Sequence, residues 1–247
     1  IEFLDWLENN NFIFLGFIEY SVAITKKMKT YSPVPSTKLG IFKVYNPDDL
    51  LEIDTRLINE ESQIIEVVKS MNKSKVHRPT HLDIIRIKKL NKKGQAIGEY
   101  RFFGLFTSSV FYQNAGNIPI IRKKISNVIQ KANFDPTGHN GKELVANLNA
   151  YPREELLQIT ENDLYEIVIR IVAISGRSTV RIFRRYDKFK RFLSLFCFIP
   201  RRNFNTEIRE QIQILFENAA CGKTAEHSVH VTESPMIRLN FIRSEER

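Results

Sequence analysis

Between Tyr151 and Ile242 the apolar and polar positions change period several times, and the order of the changes spells a fold. A short apolar run, Leu156–Ile159, predicts a strand, and Thr160 with Asp163 three residues on predicts the capped start of a helix. Leu164, Ile167, Val168, Ile171 and Val172 continue that helix as one apolar stripe, and Gly176 stands where a helix end favours a left-handed residue. Ser178–Tyr186 and Arg191–Pro200 read as two strands joined by a short polar turn. A second helix is predicted over 206–219, with Ile208, Ile212, Leu215, Phe216 and Ala219 inward and Gly222 closing it; Ser228–Ser234 supplies the last strand. This βαββαβ order is that of a ferredoxin-like sandwich, two helices on one face of an antiparallel sheet. Sensors, RNA binders and enzymes share it, so it fixes architecture and leaves function open.

The first half patterns differently. Phe3, Leu4 and Leu7 predict a short amphipathic helix, broken at Asn9–Asn11 and followed by a long aromatic and β-branched strand, Phe12–Ile24, with Gly16 inside it. Lys26–Lys38 reads as loop, Gly40–Tyr45 as strand, Asn46–Asp48 as the opening of a helical turn near Leu50, and Ile64–Val68 as a strand or a helix end, with β-branching favouring strand. Leu82–Leu90 and Ile97–Thr107 flank Asn91–Lys92–Lys93–Gly94 and predict a hairpin. Several antiparallel strands with short helices fit a PAS-like or related sensor layout as well as any other. Pro119 opens a helix whose stripe is Ile121, Ile125, Val128, Ile129 and Ala132; Phe134–Asn140 is loop and Lys142–Asn149 a further helix. The expected fold class is therefore α+β: a PAS-like antiparallel α/β domain over 1–116, a helical connector over 117–150, and a βαββαβ domain over 151–247.

Composition changes this picture little. An apolar fraction of 43% and a charged fraction of 26% are ordinary for a globular protein, and no apolar run is long enough to predict a membrane span. The acidic amino terminus does not resemble a secretory signal, and a chain beginning with Ile1 is expected to be a piece of a longer polypeptide. Of the two cysteines, Cys197 lies in an apolar run and reads as a buried small hydrophobe; with no sign of export, the cytoplasm is the expected compartment. The net charge of +9 raises the question of nucleic acid, but the basic residues are scattered. Arg191–Ile199 decides between the two readings. Phe192, Phe196 and Phe198 alternate on one side of that strand, as in an RNA-recognition sheet, yet Leu193, Leu195, Cys197 and Ile199 fill the other. A strand apolar on both faces belongs in a sheet covered twice. A basic ferredoxin-like nucleic-acid-binding module remains the alternative.

Motifs for chemistry are sparse. Gly222–Lys223–Thr224 resembles the tail of a phosphate loop, but Glu217 stands where that loop needs a glycine. His77 and His81 have zinc-ligand spacing with Pro79 between them, and Cys221, His227 and His230 lack a partner pair. Asp48–Asp49 and Glu60–Glu61 are adjacent carboxylates, which does not place two acids across a substrate. No dinucleotide glycine fingerprint and no nucleophile elbow occur. The expectation is no catalytic, cofactor-binding or metal-binding residue.

One further signal spans the chain. Phe3–Leu15 with Gly16, Lys75–Asp83, Glu99–Ser109, Ile118–Lys124, Tyr151–Ile159, Arg191–Arg209 and Glu233–Ile242 resemble, in this order, strings of the large NAD-specific glutamate dehydrogenases. That resemblance implies the amino-terminal regulatory region, built of ACT-type and PAS-type modules, so that the βαββαβ half is ACT-like. In that family the catalytic domain lies carboxy-terminal to the matched region, so NAD is a cofactor of the complete enzyme only. The complete enzyme converts L-glutamate, NAD and water to 2-oxoglutarate, ammonium and NADH. Implied partners are the catalytic domain of the same or a companion polypeptide, further copies in a homo-oligomer, and an amino-acid effector. ACT modules bind such effectors where the first strand meets the first helix, here Thr160, Glu161, Asn162 and Asp163; the plainer reading is that Thr160 caps its own helix.

Overall fold

A computed structural model of the chain describes residues 1–24, 29–45, 63–173, 179–188, 192–220, 224, 226–230 and 236–244. They form an α+β protein with two antiparallel sheets. The chain divides into two compact units, residues 1–113 with 117–119 and residues 114–116 with 120–247.

In the first unit helix α1 (Glu2–Trp6) runs through a π-type turn into β1 (Phe12–Ile24). β1 pairs with β2 (Lys29–Pro33) and β3 (Leu39–Gly40), and the sheet continues through β4 (Ile65–Lys73), β5 (His81–Leu90) and β6 (Ala96–Phe106) in the order β2-β1-β6-β5-β4. Helix α2 (Ser108–Tyr112) follows. The predicted hairpin is β5–β6. Its turn is held by Asn91, whose Oδ1 accepts from the Lys93 and Gln95 amides at 2.9 and 3.0 Å, and by Gly94 at φ +76°. The strand predicted from Ile64 is β4.

Two expectations fail here. The predicted loop 26–38 contains β2, whose Lys, Ser and Pro residues hide its pairing with β1. Gly40–Tyr45 is a 3-10 turn, Ile41–Lys43, rather than a strand, because Gly40 takes φ +60° and turns the chain back over β1. Gly16 makes room for it, since a Cβ there would lie 2.7 Å from Ile41 Cγ1. The helical turn expected near Leu50 lies outside the described residues.

Charged groups sit inside this unit, across β4, β5 and β6. Arg86 grips Glu99 with both arms of its guanidinium, at 2.7 and 3.0 Å, and also meets Glu66 at 3.6 Å. Arg101, fully buried, donates its Nε–H to the same Glu99 and lies 4.2 Å over the Tyr20 ring. Burial would push the Glu99 carboxyl up, but Arg101 and Arg86 together hold it below the usual carboxylate range.

The second unit opens with α3 (Pro119–Ala132), α4 (His139–Ala150), α5 (Arg153–Gln158) and α6 (Glu161–Ala173). The sheet follows: β7 (Arg181–Tyr186), β8 (Phe192–Pro200), helix α7 (Thr206–Ala219), β9 (Glu226–His230) and β10 (Met236–Ser244), in the order β7-β8-β10-β9. The stripe predicted for α6 is buried throughout, from Leu164 to Val172. In α3, Ile121 and Val128 are buried.

The βαββαβ order needs correction at both ends. Leu156–Ile159 is not a strand; Leu156 and Leu157 face inward from α5, which Pro152 caps and Glu154 and Glu155 open. Four apolar residues carry too little periodicity to separate helix from strand. After α7 come two strands, not one, and β9 ends at His230, with residues 231–235 outside the described set. The missed strand β10 alternates Ile237, Leu239 and Phe241, all buried toward α7, with Arg238 and Asn240 on the opposite face. The stripe of α7 is also narrower than predicted. Ile208, Ile212, Phe216 and Ala220 pack on the sheet, whereas Leu215 is 66% exposed. Gly176 and Gly222 lie outside the described residues.

Both faces of β8 are covered. Leu193, Cys197 and Ile199 pack under α7. Phe192, Phe196 and Phe198 on the other side are 5%, 0% and 8% exposed, with the Tyr151 ring 5.2 Å from that of Phe196. Glu155 of α5 closes this face, accepting from Arg185 Nε at 2.6 Å and from the Ser194 hydroxyl at 2.7 Å. Lys124 of α3 ends α5 by donating its amine to the carbonyls of Leu156 and Ile159, and burial pushes that amine down to about 8.

Candidate functional site

The four residues expected to form an effector loop stand at the start of α6, and three of them serve the helix itself or its neighbour. The Thr160 hydroxyl accepts from the Asp163 amide at 3.1 Å, the cap that the spacing predicts, and donates to Asp163 Oδ2 at 2.7 Å. Glu161 accepts from Asn127 Nδ2 at 2.9 Å, and Asn162 from Lys131 Nζ at 2.9 Å, so both tie α6 to α3. Lys131 lies 4.3 Å over the ring of Tyr165 in the same seam.

Asp163 is the exception. Besides sharing the cap, it lines a groove of ≈ 270 Å³ between α6 and β7, with Glu166, Ile167, Arg170, Arg184, Arg185 and Tyr186. Its two walls differ in charge. The β7 wall carries Arg184, which is exposed and makes no hydrogen bond or ion pair with any described residue, and Arg185, already committed to Glu155. The α6 wall carries Asp163 and Glu166, the latter 3.7 Å from Arg170 one turn along. Such a groove can hold a small zwitterion, carboxylate against Arg184 and ammonium between Asp163 and Glu166.

Arg184, Glu166 and Arg170 were not legible as site residues. In sequence they belong to a scattered basic stretch and to a helix surface, and only the packing of β7 beside α6 gathers them. Other candidates disperse. His81 is buried with Nδ1 3.0 Å from the Ser70 carbonyl, and His77 is exposed. His227 is exposed and stacks at 6.4 Å on Phe241. Cys221, Gly222, Lys223 and the carboxylate pairs at 48–49 and 60–61 lie outside the described residues, as does the side chain of His230. Cys197 is buried, and burial pushes its thiol up to about 11, which leaves it unreactive.

Residues 118–177 match a family model described as glutamate dehydrogenase, helical motif 1, and residues 181–246 one described as glutamate dehydrogenase, ACT2 domain. The NAD-specific glutamate dehydrogenase of Halomonas elongata is 37% identical over 248 residues, 98% of this chain. That of Pseudomonas aeruginosa is 34% identical over 245 residues, 97% of the chain. The chain belongs to the large NAD-specific glutamate dehydrogenase family. The corresponding protein of Mycobacterium tuberculosis is 26% identical over 147 residues, 60% of this chain and 9% of its own length. This member spans about 15% of the length of the Halomonas and Pseudomonas relatives. The groove between α6 and β7 lies on the seam of the two matched segments, with Asp163, Glu166 and Arg170 from the first and Arg184 from the second. Among the described residues no helix is long and apolar enough to cross a membrane.

Proposed function

We propose that this chain is the amino-terminal regulatory and assembly region of a glutamate dehydrogenase that uses NAD, and that it carries no catalytic or cofactor-binding residue of its own. The complete enzyme would convert L-glutamate, NAD and water to 2-oxoglutarate, ammonium and NADH in the cytoplasm, the catalytic domain and further copies of the chain being its partners. The first unit is read as PAS-type and the second as ACT-type. For the second, sheet order supports the reading. A βαββαβ sheet places its first strand centrally, between the third and the fourth. Here β10 takes that central place, between β8 and β9.

The observation that carries the regulatory reading is the groove on the seam between helical motif and sheet. A ligand there touches α6 and β7 at once, so its binding energy is differential between arrangements of the two, which is what an effector requires. The occupant proposed is an amino acid, held by Arg184 at its carboxylate and by Asp163 and Glu166 at its ammonium. Calorimetric titration of the 247-residue chain with the common amino acids should give saturable heat for at least one of them, lost on Arg184→Ala. Absence of heat for all of them removes the effector reading.

A further inference from the structure

Arg238 on β10 is 7% exposed and makes no hydrogen bond or ion pair with any described residue, its Nε being buried without a partner. Two more buried polar atoms without partners flank it. One is the hydroxyl of Tyr151, whose ring centre is 5.9 Å from the guanidinium carbon. The other is Oδ1 of Asn240, two residues on along the same face of the strand. The neighbouring buried cations are answered: Arg185 by Glu155, and Lys124 by the carbonyls that end α5. The Arg153 guanidinium is occupied with the carbonyls of Tyr151 and Asn149, at 2.6 and 2.8 Å, and adds positive charge nearby. Burial pushes the Arg238 guanidinium down to about 10 and the Tyr151 hydroxyl well above its ordinary range.

Folded proteins rarely keep such atoms unpaired, and a buried guanidinium without a counter-charge is among the costliest of them. We propose that Arg238, Tyr151 and Asn240 form a binding site for a small carboxylate. The planar fork of Arg238 holds the two carboxylate oxygens, the Tyr151 hydroxyl donates to one of them, and the Asn240 amide meets a polar group on the adjoining carbon. One negative charge answers one free guanidinium. A phosphate dianion would bring two charges to that one guanidinium and leave surplus charge in a buried place, with Arg153 turned to the Tyr151 and Asn149 carbonyls. The site is distinct from the groove at Asp163 and Arg184, and it rests on the regulatory reading only for its biological use.

Thermal unfolding of the 247-residue chain tests it, with L-lactate and glycolate as probes, each a monoanion with a hydroxyl on the adjoining carbon and without the ammonium that the effector groove would hold, and with chloride and inorganic phosphate at matched ionic strength as controls. Either carboxylate should raise the midpoint saturably, with no comparable rise in chloride or phosphate. Arg238→Met should melt no lower than the parent without ligand, since it removes an uncompensated charge, and should lose the carboxylate response. Tyr151→Phe should keep the fold and need on the order of tenfold more carboxylate for half the rise, the cost of one hydrogen bond to a charged group. Arg184→Ala should leave the response unchanged, which separates this site from the effector groove. The proposal is overturned by an equal rise in chloride or phosphate, by no rise at all, or by an Arg238→Met chain that keeps the response. An Arg238→Met chain that folds but melts far below the parent also overturns it, because the guanidinium is then satisfied by water alone. Should Arg238→Met not fold, an unchanged half-saturation in Tyr151→Phe does the same.

Discussion

Phe196→Ala is expected to cost the second unit about 3–5 kcal/mol, the usual loss for deleting a fully buried aromatic ring. Phe196 is 0% exposed, stands opposite Phe183 and Asn240 in the sheet, and has the Tyr151 ring against it. No neighbour can close the hole without releasing α5, since Glu155 ties that helix to Arg185 and Ser194 on the same face. Chemical denaturation followed by far-ultraviolet circular dichroism measures the loss. An RNA platform would behave in the opposite way. Truncating a stacking aromatic there would spare stability and weaken a salt-sensitive RNA affinity. A change in stability under about 0.5 kcal/mol, the range of surface positions, would contradict the burial that separates this sheet from such a platform.

Glu99→Ala is expected to be as damaging in the first unit, about 3–5 kcal/mol, because it strips two buried guanidiniums of their shared carboxylate. Arg86 and Arg101 stand directly opposite each other on β5 and β6, and Glu99 is the acid between them. Glu66, 3.6 Å from Arg86, does not replace it for Arg101. The same group sets an acid limit. Its folded pKa lies below the ordinary glutamate value of about 4.5, so the stability it contributes is fully present above about pH 4.5 and is lost as pH falls through the depressed value. As pH falls from neutral toward pH 3, denaturant midpoints should drop further for the parent than for Glu99→Gln, the difference being the part that Glu99 contributes. Parallel curves would show that Glu99 does not carry the ion pair.

These two sites also show which parts of the fold were legible in the sequence. The burial of β8 on both faces could be read because apolar residues occupy both alternating registers, a pattern that a half-solvated strand does not tolerate. The β5–β6 hairpin and the cap of α6 could be read because Asn91, Gly94, Thr160 and Asp163 act locally, on backbone a few residues away. Arg86, Glu99 and Arg101 gave no such signal. Charged residues at alternating positions look like a solvated face until the neighbouring strands bring the Tyr20 and Tyr31 rings to Arg101 and Glu66 to Arg86. Strand β10 was missed for a related reason, since Arg238 and Asn240 face a buried side that nothing local announces. Leu156–Ile159 was too short for its period to count. The groove was legible only in half: Asp163 could be named from the helix start, but Arg184 reaches it only through the packing of β7 beside α6, which no local spacing encodes.

The most direct test of the account is the steady-state kinetics of a complete glutamate dehydrogenase carrying this region, compared with the same enzyme bearing Arg184→Ala. Without effector the two should turn over L-glutamate and NAD within roughly twofold of each other, because Arg184 lies outside the reaction, while any activation or inhibition by added amino acid should vanish in the variant. A fall of about a hundredfold in turnover at saturating L-glutamate and NAD, with substrate binding intact, would place Arg184 in the chemistry and contradict the regulatory assignment.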